Sequence, residues 1–154
     1  MAASGPTIRR AAPADAAAMA RLAGELGYPV TAAEMEQRLG RLLGDERHCV
    51  AVARDDGGLL GWTHVEHRSS VETGERAEVI ALVVASTARR RGIGRQLAEA
   101  AEAWARSKGL PELAVRSNAA REHAHSFYEA LGYRRLKTQH VYIKTMAPDR
   151  HTDT

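Results

Sequence analysis

The segment from Arg89 to Gly94 has the residue types of a site for a diphosphate. It lies between an apolar run and a predicted long helix. The N-terminus of a helix offers unpaired backbone N–H groups and a partial positive charge, both of which attract phosphate. Gly92 and Gly94 have no side chains that would block close approach of a pyrophosphate. The side chains that can add charge-assisted hydrogen bonds are Arg89, Arg90, Arg91 and Arg95.

Two other interpretations compete with a diphosphate site. Consecutive arginines often form only a solvated face, and glycines before a helix also occur in other nucleotide-binding loops. The sequence lacks the Gly-x-Gly-x-x-Gly pattern of dinucleotide sites and the Gly-x-x-x-x-Gly-Lys-Ser/Thr pattern of ATP sites. We therefore expect a diphosphate ligand other than NAD or ATP.

Two elements must position this segment. The run from Val79 to Val84 is apolar at every position, which is typical of a central strand, and the strand is predicted over Arg76 to Val84. The helix that follows is predicted to end at Gly109 and Pro111. Its buried face at helical spacing consists of Ile93, Leu97, Ala100, Ala101 and Trp104.

Periodicity and turn signals predict the remaining elements. The other predicted strands are Thr7–Arg10, His48–Arg54, Leu59–Arg68, Leu113–Arg116, Tyr133–Leu136 and His140–Thr145. The other predicted helices begin near Asp15, at a capping box formed by Thr31 and Glu34, and at Arg121, the last of them ending at Leu131. This order predicts an α/β fold with a mixed sheet and helices on both faces. We expect one domain over residues 1–154, with an ordered core over about residues 6–146 and a flexible C-terminal tail.

The motifs resemble those of the GNAT superfamily of N-acetyltransferases. Its acetyl-CoA signature is Arg/Gln-x-x-Gly-x-Gly/Ala after a central strand, and residues Arg89 to Gly94 match it. Its second signature is an asparagine after the next strand, followed by a helix that carries a tyrosine and finishes in Leu-Gly-Tyr/Phe. Asn118 and the segment from Ala124 to Tyr133 match that pattern. The resemblance implies a mostly antiparallel sheet of six to seven strands that is splayed at the acetyl-CoA site.

The resemblance also implies a role for each matching residue. The backbone of Leu82, Val83 and Val84 would pair with the pantetheine arm of acetyl-CoA. The pyrophosphate would be bound by Arg89, Arg90, Arg91, Gly92, Ile93, Gly94 and Arg95. Asn118 would contact the pantetheine, and Tyr128 matches a tyrosine often found beside the thioester sulfur. Glu78 matches a glutamate that some members use as a base.

The implied reaction needs two proton transfers. An alkylammonium has a pKa of about 10.4, so the acceptor amine must lose a proton, and Glu78 is the best-placed carboxylate to take it. The backbone N–H of Val84 would donate to the carbonyl oxygen, and Tyr128 would protonate the departing thiolate. Structural interpretations stay open for both side chains. Glu78 can be a carboxylate that pairs with Arg76 or a neighbouring strand, and Tyr128 can be a packing residue.

The composition argues against several other classes of protein. The net charge is +3, and aromatic residues make up 5% of the 154 residues, with acidic residues scattered throughout, so we expect no nucleic-acid partner. No apolar run approaches the roughly 20 residues of a membrane span, and no signal peptide is evident at the N-terminus. The single cysteine, Cys49, fits a reducing compartment, so we expect a cytoplasmic protein. The histidine spacings do not fit a metal site. Members of the family often form dimers, so the resemblance makes a homodimer one possible oligomeric state.

The acceptor amine is the least determined part of the prediction. In the family, the segment between the first two helices and the last strand pair shape its pocket. A small cationic acceptor, such as an aminoglycoside or a polyamine, is favoured by Glu25, Glu34 and Glu36. An acceptor that bears a carboxylate is favoured by Arg134, Arg135 and Lys137. A peptide or protein amine and a catalytically silent acyl-CoA sensor remain alternatives.

Overall fold

The computed structural model describes residues 5–116 and 122–148. The chain divides into two compact units at Arg116. The strands of the first unit are β1 (Thr7–Arg10), β2 (His48–Asp55), β3 (Gly58–Ser70), β4 (Gly74–Val84) and β5 (Leu113–Val115). Its helices are α1 (Ala16–Glu25), α2 (Ala32–Leu42) and α3 (Ile93–Ser107), with short 3-10 turns at Pro13–Asp15 and Ser86–Ala88. The second unit contains helix α4 (Glu122–Ala130).

The five strands form one sheet in chain order. Strands β1 to β4 pair antiparallel, whereas β4 and β5 are parallel. The parallel pairing is short and joins Ala77–Val79 to Leu113–Val115. The predicted α/β fold with a mixed, mostly antiparallel sheet is confirmed.

The prediction of six to seven strands was wrong for the described part of the chain, which has five. The two segments predicted as a closing pair, Tyr133–Leu136 and His140–Thr145, have no strand assignment. A strand requires backbone pairing as well as alternating apolar residues, and these segments form no ladder among the described residues. The apolar side chains of Val141, Tyr142 and Ile143 are accordingly exposed, Ile143 to 94%.

Neighbouring residues of β3 contact helices on opposite faces of the sheet. The Trp62 indole N–H donates to the carbonyl oxygen of Met19 in α1 at 3.2 Å. Gly61 instead faces Ile93 and Leu97 of α3. Because successive strand residues point to opposite faces, α1 and α3 cover the two sides of the sheet, as predicted.

Polar contacts lie at the start of α2 and in the 3-10 turn that precedes α1. The predicted capping box of α2 is confirmed, with the Thr31 hydroxyl accepting from the Glu34 N–H and the Glu34 carboxylate accepting from the Thr31 N–H, each at 3.0 Å. Before α1, the buried carboxylate of Asp15 binds the Arg9 guanidinium at 2.7 Å and accepts from the Ala12 N–H at 2.8 Å. The hydrogen bonds from Arg9 hold the pKa of Asp15 below its ordinary value. These contacts tie β1 to the start of α1.

Replacing Gly61 with alanine is expected to lower the free energy of unfolding by about 1–3 kcal/mol, because the added methyl group overpacks the core. A Cβ at this position would lie 2.6 Å from the carbonyl oxygen of Val83 and 3.1 Å from Leu97 Cδ1. Gly40→Ala is the matched control, because Gly40 lies exposed in α2 with no neighbour within 4 Å. This control should raise stability by about 0.5–1 kcal/mol. Urea unfolding of both variants checks the prediction, and an unchanged midpoint for Gly61→Ala would contradict it.

Candidate active site

The C-terminal half of β4 has an open backbone edge on its β5 side. The ladder between the two strands ends where Val79 faces Val115. From Ala81 to Val84, β4 pairs with β3 alone among the described residues, and Ile80 is the unpaired residue at a register shift between the two strands. The predicted residues Leu82, Val83 and Val84 lie in this open stretch, and the Val83 side chain is buried against the α1 side of the core. Among the described residues, their N–H and C=O groups on this edge have no strand partner, and they could pair with an extended ligand.

The loop after β4 leads directly into the N-terminus of α3. Gly92 is the N-cap residue, with a φ of 77°, and supplies no side-chain cap. The first backbone hydrogen bond of the helix runs from the Gln96 N–H to the Gly92 carbonyl oxygen at 3.0 Å. The preceding N–H groups, which include those of Gly94 and Arg95, have no acceptor within the helix. An uncapped helix end without side-chain bulk fits the diphosphate predicted from the sequence.

The four predicted arginines divide into two groups. Arg91 pairs with Asp55 at 3.1 Å, and Arg95 pairs with Glu99 one helical turn later at 3.1 Å. Asp55 also accepts from the Gly57 N–H at 2.8 Å, so the turn between β2 and β3 anchors the loop. Arg89 and Arg90 are exposed and have no ion pair with any other described residue. Among the described residues these two guanidinium groups are therefore uncommitted, whereas those of Arg91 and Arg95 are engaged in ion pairs.

Ile93, the first residue of α3, can offer only its backbone to a ligand. Its side chain is buried and packs beside Gly61. This packing brings the first turn of α3 against the sheet and sets the position of the loop. Arg90 has a φ of 68°, an uncommon value for a residue with a side chain.

Replacing Gly92 with alanine is expected to raise the KM for acetyl-CoA about fivefold or more, because the free loop would relax and binding would have to restore the left-handed conformation at a cost of about 1–2 kcal/mol. The methyl group would meet no neighbour within 4 Å, so only the backbone is perturbed. Gly74→Ala is the matched control, since Gly74 has a φ of 71°, is equally open, and lies at the other end of β4. Thermal unfolding verifies that both variants are folded, and steady-state kinetics should show the higher KM in Gly92→Ala alone. Equal KM values would contradict the assignment of the loop.

Glu78 lies on β4, on the same strand as the open edge, and is only 1% exposed. Its carboxylate accepts hydrogen bonds from Arg68 Nη1 at 2.8 Å and from Arg116 Nε at 3.1 Å. Arg76 Nη2 lies 3.7 Å from Glu78 Oε1. Burial by itself would raise the pKa of Glu78, but the hydrogen bonds and positive charges of Arg68 and Arg116 outweigh it and bring the pKa below 4.5. The carboxylate is therefore ionised at neutral pH.

Sequence reasoning identified Arg76 beside Glu78 but missed two arginines. Arg68 lies directly opposite Arg76 in the β3–β4 ladder, and Arg116 follows β5. The register of the hairpin contained a signal, because the polar turn around residues 71–73 places Arg68 opposite Arg76. Nothing in the spacing indicated Arg116, which reaches Glu78 through the short parallel pairing of β4 and β5.

Tyr128 lies in α4, and its ring is half-buried. It makes edge-to-face contacts with Phe127 and Tyr133, with ring centroids 5.1 and 5.8 Å apart. Burial raises the pKa of the Tyr128 phenol above its ordinary value of 10. The ring packs against its neighbours, whereas no described residue forms a hydrogen bond with the hydroxyl group. Asn118, the predicted pantetheine contact, lies outside the described residues.

The acidic side chains considered for the acceptor have different environments. Glu34 is committed to the cap of α2 and lies 3.7 Å from Arg38. Glu25 ends α1, is exposed, and accepts from the Ser86 N–H at 3.4 Å, next to the end of β4. Glu36 is exposed on α2. Of the three, Glu25 is the carboxylate next to the open edge.

Two further observations concern the described residues as a whole. Across residues 5–116 and 122–148, no three histidine, cysteine, aspartate or glutamate side chains are grouped so as to hold a metal ion. In the same ranges, no helix has the length and apolar character needed to cross a membrane.

Comparison with known proteins identifies relatives of this chain. Residues 16–133 match the model of the acetyltransferase (GNAT) family. Aminoglycoside N(6')-acetyltransferase type 1 from Stenotrophomonas maltophilia is 35% identical over 138 residues, which cover 86% of this chain and 89% of that protein.

Solved structures share the fold at lower identity. Aminoglycoside N-acetyltransferase AAC(6')-Iy, solved with the bisubstrate analogue CoA-S-monomethyl-acetylneamine, superposes with a TM-score of 0.82 at 20% identity. That match covers 93% of this chain and all of the other. Glucosamine-6-phosphate N-acetyltransferase from Arabidopsis thaliana superposes with a TM-score of 0.77 at 19% identity, covering 91% of this chain and 99% of the other. Proteins named for different acceptors therefore share this fold, and the fold by itself does not identify an acceptor.

Proposed function

As a member of the acetyltransferase (GNAT) family, this chain is an N-acetyltransferase that uses acetyl-CoA, and we propose that its acceptor is a primary amine of an aminoglycoside. The observation that carries the proposal is the 35% identity with the aminoglycoside N(6')-acetyltransferase from Stenotrophomonas maltophilia over most of both chains. The exposed carboxylate of Glu25 beside the end of β4 supports it, because a polycationic acceptor is attracted by negative charge.

The first unit offers backbone and side-chain hydrogen-bond donors, and an unpaired strand edge among the described residues, that would suit acetyl-CoA. The open edge of β4 from Ile80 to Val84 would hold the pantetheine arm, and the uncapped N-terminus of α3 would hold the pyrophosphate. Arg89 and Arg90 would add charge-assisted hydrogen bonds to phosphate oxygens. Bound acetyl-CoA supplies the acetyl group as a thioester. The backbone N–H of Val84 would donate to the carbonyl oxygen of that group.

Glu78 and Tyr128 are proposed to move the two protons. Glu78 is ionised at neutral pH and would take a proton from the acceptor ammonium through water. The Tyr128 phenol, whose pKa burial raises above the ordinary value of 10, is protonated at neutral pH, so it can give its proton to the thiolate sulfur of the departing CoA. No covalent bond to the protein is required, since both substrates can be held together.

Release of CoA thiol with a panel of amines tests the proposed acceptor. Neomycin and paromomycin form a matched pair, since the first carries an amine and the second a hydroxyl at the 6' position. Spermidine, free amino acids and a lysine-containing peptide complete the panel. We expect CoA thiol to be released with neomycin and to be released much more slowly with paromomycin. Release with the peptide or spermidine alone would overturn the aminoglycoside assignment, and binding of acetyl-CoA without release in any case would favour an acyl-CoA sensor.

A further inference from the structure

Polar side chains follow the tryptophan of β3 along one face of the sheet. Trp62 contacts α1 on this face, and Arg68, six residues later in the same strand, binds Glu78 of β4. Side chains two residues apart on a strand point to the same face. His64 and Glu66, which lie between Trp62 and Arg68, therefore share the face of Glu78. His64 is a titratable group that the proposed proton transfers do not use.

His64 lies beside both Glu78 and the start of the open edge of β4. It faces Ala81 in the β3–β4 ladder, whereas Glu78 faces Glu66, two residues further along β3. His64 and Glu78 are thus diagonal neighbours, and such residues are about 7–8 Å apart. A water molecule can bridge side chains at this separation. An amine that approaches the open edge from this face would meet both side chains.

A second histidine orients the ring of His64. His48 Nδ1 lies 3.0 Å from His64 Nε2, which is a hydrogen-bond distance. The other ring nitrogen of His48 lies 3.9 Å from Asp45 Oδ2. A carboxylate favours a proton on the nitrogen that it faces, so neutral His48 carries its proton on Nε2 and accepts at Nδ1. The donor to His48 is then the Nε2–H of His64, which leaves a lone pair on His64 Nδ1.

The surroundings of His64 keep its imidazole neutral in the resting protein. Burial, with a smaller contribution from the neighbouring His48, lowers the pKa of His64 to about 4. The ring is half-buried, and no described residue forms a hydrogen bond with His64 Nδ1. The charged groups nearby are carboxylates, Asp45 beside His48 and Glu66 and Glu78 on the same face, and they favour a transient positive charge. A neutral imidazole with a free lone pair can accept a proton.

We propose that His64 is a second proton acceptor for the attacking amine and that His48 is the positioning residue that fixes its tautomer. The proposal rests on the proposed transfer of acetyl to a primary amine. An N–H bond of the acceptor ammonium breaks, and an N–H bond forms on His64 Nδ1, directly or through one water. The imidazolium then donates more strongly to His48 through its Nε2–H. His64 Nδ1 later gives the proton to solvent, so its tautomer is unchanged after turnover.

The tautomer of His64 tests the proposal without any acetyl transfer. Long-range ¹H–¹⁵N correlation spectra distinguish a ring nitrogen that carries a proton from one that does not. The chain has seven histidines, and His64→Gln assigns the signals of this one. At slightly alkaline pH we expect the proton of His64 on Nε2, and we expect His48→Gln to weaken that preference. A proton on His64 Nδ1 in the unmodified protein would overturn the proposal, and an unaltered preference in His48→Gln would overturn the positioning role.

Chemical rescue tests the proton transfer itself. His64→Ala should lower kcat about tenfold or more, less than the usual loss of a lone general base because Glu78 remains. Added imidazole should restore much of this loss, since it can occupy the space of the missing ring and accept the proton. A structural role would not respond to imidazole. Full kcat in His64→Ala, or a loss that imidazole leaves unchanged, would overturn the proposal.

His67→Ala is the matched control for the rescue. His67 lies on the same strand but on the opposite face, where it contacts the exposed side chain of Glu75. This variant should keep full kcat with and without imidazole, and thermal unfolding verifies that each variant is folded. The assays use neomycin, or another amine of the panel if neomycin is not acetylated. Absence of release with neomycin in the unmodified enzyme would count against the aminoglycoside assignment alone, whereas the tautomer and the rescue report on His64.

Discussion

Replacing Tyr128 with phenylalanine is expected to lower kcat by about a hundredfold or more, the usual contribution of a positioned general acid. The change removes only the hydroxyl and retains the ring contacts with Phe127 and Tyr133. No described residue hydrogen-bonds to that hydroxyl, so stability should change little. The KM for acetyl-CoA should also change little, because the ring remains. Steady-state kinetics and thermal unfolding together check the prediction.

Tyr142→Phe is the control for that variant. It removes a hydroxyl from the same unit at a residue that is almost fully exposed, and its kcat should equal that of the unmodified enzyme. If Tyr128→Phe retained full kcat, the general-acid role would be lost and Tyr128 would be a packing residue. If the variant lost stability together with kcat, a structural hydrogen bond to the hydroxyl would be the better explanation.

Replacing Glu78 with glutamine is expected to lower both kcat and stability. The kcat should fall about a hundredfold if Glu78 accepts the proton of the amine. The free energy of unfolding should fall by about 2 kcal/mol, because charge-assisted hydrogen bonds from Arg68 and Arg116 are lost. Those arginines are partly exposed and regain water, which limits the loss. Kinetics and urea unfolding measure the two effects separately.

The pH dependence of stability provides a second readout for Glu78. Its pKa in the folded protein lies below the ordinary value of 4.5. A depressed carboxyl pKa contributes stability that is present above the unfolded-state value and is lost as pH falls through the folded-state value. The stability difference between the wild type and Glu78→Gln should therefore be constant near neutral pH. It should shrink as the pH falls below about 4.5, and a difference that stayed constant into acid would contradict the ionised, arginine-bound carboxylate.

Arg68→Gln separates the two roles of Glu78. This variant removes one partner from the cluster but retains the carboxylate, so it should lose stability with only a modest loss of kcat. If Glu78 acts only by holding arginines in place, Arg68→Gln and Glu78→Gln should lower kcat by similar factors. A much larger loss in Glu78→Gln would support proton transfer by the carboxylate.

Local signals in the sequence predicted most of the first unit. The turn signals that bound β2 and β3, the apolar run of β4 and the capping box of α2 each depend on residues that are neighbours in the chain, and these elements appear within a few residues of their predicted bounds. The segments Tyr133–Leu136 and His140–Thr145 have strand-like patterns too. Strand formation there depends on a pairing partner elsewhere, and local periodicity contains no information about that partner.

The candidate site likewise combines features that neighbouring residues predict with features that depend on distant residues. The position of Arg89 to Gly94 at the start of α3 follows from glycine and helix signals within a dozen residues. The division of its arginines does not, because Arg91 pairs with Asp55, which lies 36 positions away in the chain. The arginine cluster around Glu78 likewise joins three strands. Contacts of this kind arise from the register of the sheet, which a single sequence specifies only indirectly.

The open edge of β4 has a consequence for handling the purified protein. An unpaired strand edge is a template for pairing with another chain, and it favours aggregation when its side chains are apolar. Within the described residues, Ile80 to Val84 present such an edge, and Ile80 is exposed. A ligand that occupies the edge removes the template and stabilises the native state by mass action. Concentrated stocks should therefore remain clear longer when CoA is present than when it is absent.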